Sequence, residues 1–120
     1  MRFTFYLTQN LSNSNDYSIF KNLLEELWNR EESEDNDIQI FCSEQAVYLL
    51  LSPDQFLNQI KSKPKTQIII NKSHCESLLN DKNAHNLQYS YPELSWLDSA
   101  AFHREILNII ADPTACFLKF

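Results

Sequence analysis

Alternation opens the chain. In "MRFTFYLT", Phe3, Phe5 and Leu7 stand against Arg2, Thr4 and Tyr6, a period of two that predicts a strand over residues 2–8. A polar loop, "QNLSNSND", follows, and Asn15 or Asp16 is placed to cap a helix. From residue 17 to about 30 the period changes. Ile19, Phe20, Leu23, Leu24, Leu27 and Trp28 recur at spacings of three and four, which predicts an amphipathic helix with one buried face. A second strand is expected over 38–42, then a short helix or turn in "SEQAVYLLL" holding Ala46, Val47 and Tyr48. "SPDQFLNQIKS" predicts another short helix, with Ser52 as cap, Pro53 at the first helical position and Asp54 complementing the dipole.

Pro64 and its lysine neighbours break the chain before Thr66 to Ile70. Three consecutive isoleucines there predict a strand buried on both faces. Ser73 to Glu76 then reads S-x-x-E, a capping box, which would put Cys75 near the second helical position. The polar run "NDKNAHNLQYSY" is expected to be a loop or an exposed turn. Pro92 restarts helical structure, and Leu94, Leu97, Ala101, Ile106, Ile109 and Ile110 predict one helix or two joined pieces over 93–110. Asp112-Pro113 ends it, and "TACFLKF" is expected to close the chain as a strand. Strands alternating with helices predict an α/β fold: a single-domain three-layer sandwich with a mainly parallel sheet of four to five strands. In such sheets chemistry collects beyond the carboxyl ends of the strands. That singles out residues 9–16, 43–48 and Cys75.

Composition narrows the function. A net charge of −6 argues against nucleic acid or an anionic membrane as the main partner, since both recruit basic patches. No apolar run reaches the roughly 18–20 residues of a membrane span. The opening residues are too quickly polar for a signal peptide. Three cysteines without CxxC spacing do not make a disulfide framework, so a reducing cytoplasm is the expected compartment. There is no glycine at all, where average usage would supply roughly eight. A Gly-rich phosphate loop, a dinucleotide fingerprint and a serine nucleophile elbow all need backbone that glycine provides, and all three are set aside. No cofactor is implied. The acidic run "REESEDND" lacks the turn glycine of a calcium loop and reads as a solvated connection. His85 and His103 lie in separate segments without zinc-ligand spacing, so no metal site is expected.

Several segments together resemble the DsrE/DsrF-like sulfur-relay family, and its TusD-type subunits in particular. "MRFTFYLT" with its loop and helix is similar to the family's start. "IQIFCSEQAVYLL" resembles its second strand and Gly-Val-Tyr segment, with Ala46-Val47-Tyr48 in that place. "ILNIIADPTACFLKF" resembles its last helix, acidic turn and closing strand. The resemblance implies a DsrE-like α/β subunit that forms homo- or hetero-oligomers with related subunits. It also implies a cysteine after the middle strand that carries persulfide sulfur between a donor and an acceptor protein. Ungapped alignment from the isoleucine strand puts Asn71 at that position, and a small gap puts Cys75 there.

Two functions follow. In the first, Cys75 is the sulfur acceptor of a relay sulfurtransferase, its thiolate favoured by a helix start, with His74 and Lys72 able to add positive charge and Glu76 opposing. Asn71, Ser73 and His74 would then form the binding surroundings. In the second, the chain is a non-catalytic scaffolding or regulatory subunit that acts through its oligomer interface, as Asn71 at the family's cysteine position suggests. Cys42, Cys116, Trp28 and Trp96 read as packing residues, and Trp96 with Tyr89 and Tyr91 also as a candidate subunit contact.

Overall fold

Five short stretches rich in β-branched and aromatic residues hydrogen-bond side by side in the computed structural model, which describes residues 1–11, 14–30, 37–51, 56–61, 63 and 65–120. They are β1 (Arg2–Leu7), β2 (Asp37–Cys42), β3 (Thr66–Asn71), β4 (Ser95–Leu97) and β5 (Ala115–Lys119). Every pairing is parallel, and the strand order is β4-β3-β2-β1-β5. The helices are α1 (Asn15–Asn29), α2 (Phe56–Lys61), α3 (Lys72–Leu78), α4 (Asp81–Ser90) and α5 (Ser99–Ile110), with a 3-10 helix over Glu44–Leu51. No helix among the described residues is long and apolar enough to cross a membrane.

This order dictates the layers. Parallel neighbours need crossovers, and crossovers are right-handed. The chain steps from β1 to β2, β3 and β4 in one direction, so the intervening helices fall on one face. From β4 it returns to the opposite edge beside β1, and the reversed direction places α5 on the other face. The two hydrophobic clusters reflect this. Phe5, Leu7, Ile38, Ile40, Ile68 and Ile70 face the larger core with Phe20, Leu24 and Leu27 of α1. Phe41 and Ile69 face the smaller one with Phe102, Ile106 and Ile109 of α5. The result is the three-layer α/β sandwich that the alternating pattern predicts, and its sheet is wholly parallel.

Four local expectations are corrected. The polar run after residue 80 is helical, because Asn80 caps it by accepting from the Asn83 amide, and Ala84 and Leu87 bury one face. The helix expected from residue 93 starts only at Ser99. Ser95–Leu97 is strand β4, held by pairing with Ile69–Asn71, and Asp98 caps α5 through the Ala101 amide at 2.8 Å. Ser14, rather than Asn15 or Asp16, caps α1 by accepting from the Tyr17 amide. Asn71, rather than Ser73, caps α3. The acidic stretch 31–36 and the positions Ser52, Pro53, Asp54 and Pro64 lie outside the described residues.

Without glycine, side-chain-bearing residues must take the left-handed backbone positions. Glu44 and Lys65 do so, each at φ 54°. Left-handed φ costs an L-residue about 1–2 kcal/mol, and glycine escapes that cost while losing about 0.5–1 kcal/mol of chain entropy. Lys65→Gly is therefore expected to stabilise the protein by about 0.5 kcal/mol. Urea unfolding checks this, and a destabilised variant would refute the backbone account.

Candidate functional site

The carboxyl ends of β1, β2 and β3 bring a connected set of polar groups together on the α5 face of the sheet. Asn71, the last residue of β3, is fully buried, and its extended backbone hands the chain directly to α3. Its Oδ1 accepts from the His74 amide at 3.2 Å and from the Ser99 hydroxyl at 3.1 Å. One carboxamide thus caps α3 and ties the start of α5 to the end of β3. Its Nδ2 is buried without a protein partner among the described residues. Beside it, Ser43 is fully buried just after β2, and its hydroxyl donates to the Tyr6 phenol oxygen at 3.4 Å.

The next residue, Glu44, turns through its left-handed backbone and donates its amide to His74 Nδ1 at 2.9 Å. A ring nitrogen that accepts an N–H bond carries no proton, so the proton sits on Nε2 and the ring is neutral in this arrangement. His74 therefore acts as an acceptor that joins α3 to the turn after β2. Lys72 is engaged elsewhere as well. Its Nζ lies 3.9 Å from Glu76 one turn on, with both side chains half exposed. At the same end of the sheet, on the β5 side, Thr8 donates its amide (2.8 Å) and its hydroxyl (3.2 Å) to the Phe120 carbonyl, and the Phe120 ring packs on Phe5 and Phe20.

Cys75 is not where the capping-box reading puts it. With Asn71 as cap, Lys72 is the first helical residue and Cys75 the fourth. Its own amide has passed beyond the free first-turn donors, and its side chain turns inward into the larger core, with no exposed surface. Burial, with Glu76 adding, pushes the Cys75 thiol up to about 11. Burial lifts Cys42 further, to about 12, and the neighbouring Cys75 adds to the rise. Both thiols are without exposed surface, Cys42 at the end of the central strand β2 and Cys75 on α3. Ser73 is exposed on α3 and takes no part in capping.

Of the four residues marked by the sequence, the fold brings Asn71 and His74 together, while Cys75 and Ser73 point to opposite sides of α3. Ser43 and Glu44 of the same network fall in the segment 43–48 that the strand order marks, whereas Tyr6 and Ser99 were not singled out. Of these two, Ser99 had a usable signal, the D-S pair ahead of an apolar helix. Among the described residues, no group of three His, Cys, Asp or Glu side chains is placed to hold a metal ion.

Chemically, the arrangement is a clamp. It ties three strand ends to two helices through side-chain and backbone hydrogen bonds. Both buried thiols lie behind it in the protonated state. Comparison with protein-family models, curated proteins and solved structures finds no match.

Proposed function

We propose that this chain is a non-catalytic, DsrE-like scaffolding or regulatory subunit that works through association with copies of itself or with related subunits. The observation that carries the reading is an apolar stripe on α5 that the sheet does not use. Phe102, Ile106 and Ile109 face the core, yet Leu107 and Ile110, about 100° further round the helix, are 65% and 57% exposed. Paired apolar residues one turn apart on a surface helix are suited to a protein contact. The polar clamp supports the same reading, because an asparagine without nucleophilic chemistry occupies the strand-to-helix junction. The rival, a sulfur relay through Cys75, requires α3 to open and release a thiol that burial keeps protonated.

The solution mass tests the proposal. Light scattering and native mass spectrometry are expected to give a dimer or larger assembly. The double substitution Leu107→Glu, Ile110→Glu is expected to reduce it to monomer, with stability changed by no more than about 0.5 kcal/mol because both positions face water. A wild-type chain that is strictly monomeric and purifies without a partner overturns it.

A further inference from the structure

Strand β4 is only three residues long and pairs with Ile69–Asn71. The first half of β3 therefore has no strand neighbour on that side among the described residues. The segment leading into β4 spans the gap instead of filling it, and a cleft of about 170 Å³ remains between it, β3 and α2. Its floor is aliphatic, Leu57 and Ile60 from α2, Ile68 from β3 and Leu94, all buried, while Thr66 and Gln67 of β3 give it a polar wall, with Gln67 Nε2 donating to Ser95 Oγ at 2.7 Å. Tyr91 stands at the side and donates its phenol hydroxyl to Asn58 Oδ1 of α2 at 2.8 Å, which bridges the cleft. Glu93 stands at the exposed rim and is the charged residue among the described lining.

We propose that this cleft binds a small primary ammonium compound whose apolar body is about the size of a benzene ring. The volume fits the body, since an apolar cavity of roughly 150 Å³ admits benzene. The four aliphatic residues remove that body from water. The Glu93 carboxylate then meets the ammonium group, and the Tyr91 ring offers a second cation-attracting surface beside it. The net charge of −6 draws cations toward the protein and works in the same direction. The site lies apart from the polar clamp and from the α5 stripe, so it stands independently of the assembly reading.

The test is a methyl-detected NMR titration of the full chain near neutral pH, with benzylamine and the uncharged benzyl alcohol as probes. Benzylamine is expected to give saturable shifts confined to the methyls of Leu57, Ile60, Ile68 and Leu94, with benzyl alcohol binding more weakly. Glu93→Gln, on an exposed residue, is expected to weaken benzylamine roughly two- to fivefold and leave benzyl alcohol unchanged. Shifts that fail to saturate or spread over the surface overturn the site. Equal affinity for the two probes, or no effect of Glu93→Gln on benzylamine, overturns the ammonium specificity.

Discussion

Phe102→Ala is expected to cost about 3–5 kcal/mol, the usual penalty for emptying a buried phenylalanine site. Phe102 has no exposed surface and is the main anchor of α5. Its ring meets Phe41 edge-on at 5.4 Å and Tyr6 at 6.1 Å. The core it belongs to holds few other large groups, chiefly Ile69, Ile106 and Ile109. Among the described residues a single helix, α5, forms this layer, so little can shift to refill the space. Against a total stability of about 5–15 kcal/mol, the loss is a large fraction. Urea unfolding is expected to show a lower midpoint with an unchanged slope, and hydrogen exchange to show α5 amides losing protection before those of β1 to β3. Ile19→Ala, at a position 52% exposed on α1, is the control and should change stability little. A loss below about 1.5 kcal/mol at Phe102 would mean that α5 is held mainly by its caps.

The helical spacing over 93–110 picks out Ile106 and Ile109 of this layer but passes over Phe102, and it includes Ile110, which is 57% exposed. The period of two in "MRFTFYLT" and the isoleucine run both become strands, and the stripe from Phe20 to Leu27 becomes a buried helix face; burial against the larger core enforces the alternation and the stripe, whereas the isoleucine run is packed on both faces. Where burial is slight, capping and pairing decide. α4 exists because Asn80 closes its first turn and two small apolar contacts hold it, a signal that a polar composition masks. β4 exists because Leu97 and its neighbours pair with β3, a tertiary contact that overrides the helical spacing of Leu94, Leu97 and Ala101.

The candidate site was hidden for a related reason. S-x-x-E at residues 73–76 satisfies the spacing of a capping box, but Asn71 is also a strong cap and comes first as the chain leaves β3. Moving the cap by two residues turns Cys75 by about 200° around the helix, from a first-turn position into the core. One register choice separates an activated thiol from a packed one. The partners of Asn71 and His74, from Ser99 and Glu44, lie 28 and 30 residues away in sequence and come together only through the sheet order.

The second expected result concerns the thiols themselves. At neutral pH Cys75 should alkylate slowly in the native protein. A rise from the ordinary 9.0 to about 11 lowers its thiolate fraction roughly a hundredfold, before steric burial adds to the protection. The same shift makes stability depend on pH with a definite sign. The folded state holds the proton more tightly than the unfolded chain, so the contribution is fully present below about pH 9 and is lost as pH rises toward 11. At about 1.4 kcal/mol per pKa unit, Cys75 alone accounts for up to about 3 kcal/mol, and Cys42 adds a loss that extends toward pH 12. Cys75→Ala is expected to be about 1 kcal/mol less stable than wild type near pH 7. The gap should close and then invert above about pH 10, because the variant has lost that titrating group. Urea midpoints for both proteins between pH 7 and pH 11 measure the crossing, and mass-resolved alkylation across the same range assigns it to a cysteine. If Cys75 instead reacts quickly at neutral pH with an inflection below about 8.5, the thiol is reachable and ionised. The scaffold reading then gives way to the sulfur relay.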